Sequence, residues 1–308
     1  MSKFYYGGQA VMEGVMMRGR KNLAIAVRQP DGEVVVEVRP NWRLTNYVPI
    51  MRLPFLRGTA ALIEAMVIGV DAILFSANAS QPDDVQLGKW EAILATILGL
   101  GLGVVLFMLL PTFVVHLLNP LGWAPIWLNL VEGLLRMAIF LSYMLAVGLM
   151  PDMRRFFQYH GAEHKTIHTF EAGEALEVAN LRGKRAEHPR CGTAFLLLVM
   201  LVSIVTFSFF GWPNLVVRLL TRIALLPVVA GIAYELSRAA ARRVDGSGPL
   251  NWLMAPALLL QRTTTREPDD EQMEVAIAAL QGLLAVEPDL APCLLLEQPM
   301  SQVMFLLL

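Results

Sequence analysis

Three of this chain's five histidines fall in one run, Tyr159-His160-Gly161-Ala162-Glu163-His164-Lys165-Thr166-Ile167-His168. Four residues advance an α-helix by slightly more than one turn, so positions 160, 164 and 168 share a stripe. Three imidazoles in line, with Glu163 beside them, have the makings of a metal site. A fourth histidine and one of two cysteines follow at His188-Pro189-Arg190-Cys191. On this reading His160 and His164 give two nitrogens to a divalent ion, and either His188 or Cys191 completes the set. Glu163 is then a further ligand or a general base on bound water. His168 is the less secure member, one turn further along, where it supports the ligands from behind. Zinc suits His, Cys and Glu donors best, with iron and manganese still open. The plainer alternative makes these histidines hydrogen-bonding anchors at a membrane surface, and Cys191 a small apolar residue opening a helix.

Further charged residues compete for roles. Arg57, Glu64 and Asp71 are spaced seven and seven along an apolar helix, which keeps them on one stripe. That stripe either faces water or a partner, or turns Glu64 and Asp71 toward the histidines as supporting carboxylates. His160 to His164 also matches the H-x-x-E-H pattern of inverzincin proteases, with Glu235 as the distant acid if the chain folds back. Outside its usual α/β context that motif carries little weight. Arg182, Lys184, Arg185 and Arg190 surround His188; they either follow topology alone or bind an anionic headgroup or phosphorylated substrate. Glu132 and Arg136 stand at i, i+4 inside an apolar segment. A charge there is expensive, and an ion pair near the segment's outer end is the simpler account.

The elements that must position these residues are mostly apolar. Of 308 residues 56% are hydrophobic, and the mean hydropathy of +0.53 is too high for an ordinary soluble domain of this size. Residues 92–131 contain no Asp, Glu, Lys or Arg. They hold one ~20-residue span at about 92–115 and begin a second at about 127–150. A third uncharged stretch covers 191–217. The fourth span, within 218–237, crosses only if Arg218 and Arg222 snorkel to the far headgroups. The expected order is a small β element over 1–45, an amphipathic or interfacial helix over 54–78, and two spans over 89–150. A His-rich loop over 151–193 follows, then two spans over 194–237, a cytoplasmic or interfacial helical region over 238–287 and an apolar tail over 288–308. Residues 22–28 and 33–38 read as strands about a Gln29-Pro30-Asp31-Gly32 turn. The acidic run 267–271 starts an amphipathic helix reaching about Leu284. Ten Lys and Arg lie in 1–89, seven in 151–190 and five after Ser237. The positive-inside rule then places both termini and the histidine loop in the cytoplasm. A net charge of −1 offers no field for nucleic acid. Cys191 and Cys293 form no CxxC, so no disulfide framework is expected, and the polar N-terminus has no apolar run of a cleaved signal.

Four boxes occur in order: Gly7-Gly8-Gln9-Ala10-Val11-Met12-Glu13-Gly14-Val15-Met16-Met17-Arg18-Gly19, then His160 to Lys165, His188 to Thr193, and Thr264 to Leu280. Together they resemble the YqhQ-like family of bacterial integral membrane proteins, catalogued as predicted metal-dependent enzymes. The resemblance covers roughly residues 3–285. It implies a metal and names no substrate. The expected fold is mainly α: a polytopic inner-membrane protein with about four transmembrane helices, a small N-terminal β element and a cytoplasmic helical hairpin loop. The first functional reading is a metal-dependent enzyme, hydrolytic in character, at the cytosolic membrane surface. The second is a membrane scaffold whose basic loop and acidic C-terminal helix dock cytosolic proteins, any metal being structural. Nothing in the sequence sets the oligomeric state.

Overall fold

The computed structural model describes residues 6–82, 86–118, 122–188, 191–241 and 249–287. Arg190 and the tail 288–308 lie outside them. The N-terminal element is a four-stranded antiparallel meander in the order β1 (Gly7–Val11), β2 (Gly14–Arg18), β3 (Asn22–Arg28), β4 (Val34–Pro40). The expected hairpin is present, with Val27 opposite Val35 and Gly32 at φ +92 in its turn. The glycine-rich opening box is itself a hairpin, Val11 facing Gly14 across Met12 and Glu13.

The sheet is buried on both faces. Met16, Leu23, Ile25 and Val27 meet Ile68 and Ala72 of helix α2 (Leu56–Ala79). Opposite them Ala10, Val15, Ala24, Ala26 and Val36 meet α6 (Pro151–Glu171) and α11 (Asp270–Val286). Strand alternation sends large side chains of β3 one way and alanines the other, so α11 lies close on the alanine face. Burying Leu280 or Leu283 there contributes about 1.5–3 kcal/mol each. Asp269 and Gln272 cap α11 reciprocally, which starts the helix where the acidic run predicts. Between α2 and the first strands come two short turns, α1 (Leu44–Tyr47) and a 3-10 turn at Pro49–Arg52.

The apolar bundle consists of α3 (Lys89–Val104), α4 (Leu110–His116), α5 (Pro125–Val147), α8 (Gly192–Ser208) and α9 (Leu215–Ala241). A π-helical turn at Val105–Leu109 joins α3 to α4. Pro111 explains it, because proline cannot donate to the carbonyl four residues back and the chain widens there. Among the described residues, four helices are long and apolar enough to cross a membrane: Leu56–Ala79, Trp90–His116, Pro125–Val147 and Leu215–Ala240. The number is as expected and one member differs. The expected third span is α8, only 17 residues long because the chain leaves the helix before Gly211-Trp212-Pro213, while α2 meets the length criterion. From Ile68 to Ala79, however, α2 is packed on the sheet, and Ser76 Oγ accepts from the Met12 N–H at 3.1 Å.

Arg218 and Arg222 do not snorkel. They are 3% and 4% exposed and turn into the bundle. Glu132 and Arg136 do pair, at 2.9 Å, but Arg222 joins the same carboxylate, so the pair is not self-contained.

Candidate functional site

Helix α6 begins at Pro151, whose fixed φ suits a first turn, and ends before Gly173 at φ +72. It carries His160, His164 and His168 along one face, as the four-residue spacing requires. Against that face lie residues 183–188, Cys191 and the C-terminal end of α10 (Pro249–Thr264). The imidazoles form a row: centroids are 4.4 Å apart for His160 and His164, 5.5 Å for His164 and His188, and 4.6 Å for His168 and His188.

Backbone carbonyls fix the rings. His160 Nδ1 lies 2.8 Å from Thr264 O, and His164 Nδ1 contacts Ala186 O. A carbonyl only accepts, so each Nδ1 carries the proton and each Nε2 keeps its lone pair in the neutral ring. His160 Nε2 is 3.1 Å from Cys191 Sγ, and one donor atom each of His160, His164 and Cys191 lie within 4.8 Å of one another. Ligand atoms around a tetrahedral zinc are about 3.3–3.7 Å apart given Zn–N and Zn–S lengths near 2.0 and 2.3 Å. The widest pair of donors has to close by up to about 1 Å to hold such an ion.

The other expected residues fall into place differently. Of the two candidates for the third donor, Cys191 is beside His160. His188 belongs to the row, but its Nε2 faces Glu171 at 3.8 Å, and its backbone exchanges two hydrogen bonds with the Gln261 amide. His168 gives Nε2 to Glu187 O at 2.9 Å and so stands apart from the three. Glu64 accepts from Arg18 at 2.7 Å, Asp71 pairs with Arg39, and Glu235 with Arg57. None of these three carboxylates is brought to the imidazoles, so neither the supporting role nor the distant protease acid is realised. Their arginine partners, on the sheet and on α2 itself, hold them elsewhere. Arg182 pairs with Asp270 and Lys184 with Glu174, while Arg185 is exposed, so these cations do not converge on an anion.

Glu163 is 3% exposed and its Oε2 lies 3.4 Å from His164 Nε2. Burial pushes its carboxyl up to about 7, against the opposing pull of His160 and a Gly8 N–H. Gly8 is a contributor that spacing could not reveal. A Cβ there would stand 2.8 Å from Glu163 Cγ, so only glycine lets strand β1 close over the carboxylate. Gly8 also lines a cleft of 490 Å³ with Arg18, Glu64 and Tyr234. Glu13 of the same box, at φ +49, accepts from Arg155 Nη2 at 2.6 Å and Tyr159 at 3.2 Å, which fastens the β1–β2 turn to α6. Gln261 and Thr264 were equally hidden, since they act through an amide and a carbonyl.

A helical membrane protein with several candidate spans, a two-face-buried β meander and a His/Cys cluster at the sheet end of its bundle is the class defined here. A family profile described as protein of unknown function, DUF1385, matches residues 53–286, and the chain belongs to that family. It is 34% identical over 296 residues to a protein of Bacillus subtilis (strain 168) named "Uncharacterized protein YqhQ", covering 92% of this chain and 93% of the relative. No solved structure matches.

Proposed function

We propose that this protein is a metal-dependent hydrolase of the bacterial inner membrane, with its site at the cytoplasmic surface. The observation that carries the reading is the donor set: one donor atom each of His160, His164 and Cys191 converge, and carbonyls hold both Nδ1 atoms, which leaves the two Nε2 atoms for an ion. Three protein ligands leave a position open, as catalytic rather than closed structural sites do. When bound, a divalent ion, zinc by preference, supplies Lewis acidity to a substrate oxygen and acidifies water. The carbonyls of Thr264 and Ala186 keep the imidazoles oriented as ligands. Glu163, beside His164, takes up and returns the proton. The cleft lined by Gly8 offers the approach to it. Four crossings, by α3–α4, α5, α8 and α9, with α2 resting on the sheet, keep both termini on the side of the histidines, in line with the lysine and arginine bias.

The test is elemental analysis of protein purified in mild detergent after metal-supplemented growth. Wild type is expected near one equivalent, and His160→Ala/His164→Ala and Cys191→Ser well below it. Absence of metal in the wild type defeats the proposal. A second reading, a scaffold with a structural ion, draws on the depth of the row, where His164 and His188 are 2% and 3% exposed. Chelation separates the two: an enzyme site empties with the fold retained, whereas loss of a structural ion unfolds the protein.

A further inference from the structure

The far end of the bundle holds a second polar cluster that the histidine site does not use. Glu132 of α5 accepts from Thr112 at 2.7 Å and Arg136 at 2.9 Å, and it also pairs with Arg222. Arg222 further donates to Thr112 Oγ1 at 3.0 Å and Asn129 Oδ1 at 3.1 Å. One turn earlier on α9, Arg218 is 3% exposed, and none of its three guanidinium nitrogens has an acceptor among the described residues. The Trp212 ring lies 3.8 Å from its carbon, and the buried Trp212 Nε1–H is likewise without an acceptor among the described residues. Arg218 and Arg222 line a cavity of 70 Å³ with Asn129, Phe207, Phe210 and Pro213.

The charges do not balance. Three guanidiniums, which stay protonated, share one carboxylate. No other acid lies in residues 92–151 or 188–234, so α4, α5, α8, the first half of α9 and all of α3 beyond Glu91 contain no further counter-charge. A buried donor without an acceptor costs as much as a lost hydrogen bond, and a buried unpaired charge costs more. Arg218 lines the cavity, and the second such donor, Trp212, is stacked against it. The space admits several water-sized groups, which is room for one tetrahedral oxyanion. A guanidinium fork matches phosphate in a bidentate way. Apolar walls beside it suit a phosphate that carries a hydrophobic portion.

We propose that Arg218, Trp212 and Arg222 form a phosphate-binding site at the end of the bundle away from the histidines. The phosphate is either the headgroup of an anionic lipid or a free phosphate-bearing solute. The bound group accepts from the Arg218 fork and the Trp212 N–H and supplies the missing negative charge.

Thermal unfolding of the full-length protein in mild detergent, followed by tryptophan fluorescence, tests this. One arm compares micelles doped with phosphatidylglycerol against phosphatidylcholine. The other compares sodium phosphate against sodium chloride at equal ionic strength. A rise in Tm on the order of 5 °C at saturation is expected in at least one arm. A rise with phosphatidylglycerol alone assigns the lipid headgroup, and a rise with inorganic phosphate as well assigns a free oxyanion. Arg218→Gln removes an uncompensated charge, so it should fold at least as well without ligand and lose the rise. Trp212→Phe keeps an aromatic ring, loses the N–H, and should shrink it. No rise in either arm overturns the site, as does a rise that survives in Arg218→Gln.

Discussion

Gly161→Ala is the most exposed consequence of the way α6 is packed. A Cβ on residue 161 would stand 2.1 Å from Arg266 O. An ordinary carbon–oxygen contact needs about 3.3 Å, so the strand of chain between α10 and α11 has to retreat by about 1 Å. That strand is held by Arg266 N–H to Phe157 O at 2.9 Å, and it carries Thr264 O, the partner of His160 at 2.8 Å. Overpacking costs about 1–3 kcal/mol, and two weakened hydrogen bonds add about 1 kcal/mol each. Better helix propensity returns about 1 kcal/mol. The net loss is roughly 2–4 kcal/mol, or a fall in Tm of about 3–6 °C for a chain of this size. The assay is thermal unfolding in detergent, with Gly183→Ala as the control. Residue 183 has φ −79 and nothing within 4 Å of an added Cβ. If the two variants melt within 2 °C of each other, the packing argument is wrong. A destabilised Gly161→Ala should also bind less metal than the control, since His160 loses its anchor.

Three further outcomes follow from the same structure. Glu163 has a folded-state pKa of about 7 against 4.5 unfolded, so the folded protein holds its proton more tightly. In chelated protein, stability should therefore fall as pH rises from about 4.5 to 7 and then level off, about 3 kcal/mol lower. Glu163→Gln removes that slope, and equal slopes for both proteins in urea titrations would falsify the burial argument. Glu287 accepts from the Arg20, Lys21 and Asn22 backbone N–H groups at 2.6–3.0 Å; Glu287→Ala should cost about 2–4 kcal/mol, seen as faster proteolysis in the 19–22 turn, with no effect on cleavage counting against it. A Cβ added at Gly58 would stand 2.6–2.9 Å from Tyr234, Ala230 and Gly231, so Gly58→Leu should part α2 from α9. Cross-linking between cysteines placed on the two helices checks this, and undiminished cross-linking would contradict it.

The long periodic features of this fold were legible in advance because one physical cause dominates each. Apolar length marks α3–α4, α5 and α9, valine alternation marks β3 and β4, and the acidic cap marks the start of α11. The four-residue histidine spacing likewise fixed a common face of α6. What stayed hidden depends on partners remote in the chain. That Cys191 stands beside His160 while His188 faces Glu171 depends on Gln261, which grips the His188 backbone. Glu64, Asp71 and Glu235 looked available because their arginine partners, Arg18, Arg39 and Arg57, could not be matched to them by spacing alone. Arg218 and Arg222 read as snorkelling because nothing local foretold an inward cluster. The uncharged stretch overstated the length of α8, which ends at Ser208 while the stretch runs on to Val217.

The carboxylate of Glu287 grips a turn 267 residues upstream, at Arg20. During synthesis the meander leaves the ribosome long before α11 exists, and at about 5–20 residues per second the wait is on the order of 10–50 s. Through that interval the alanine face of β3 has no cover, and every apolar helix of the bundle must insert meanwhile. The sheet can therefore close only on a chain whose membrane portion is already in place. A chain that stops before residue 270 lacks α11, so the alanine face of the sheet stays uncovered and the 19–22 turn lacks its carboxylate partner.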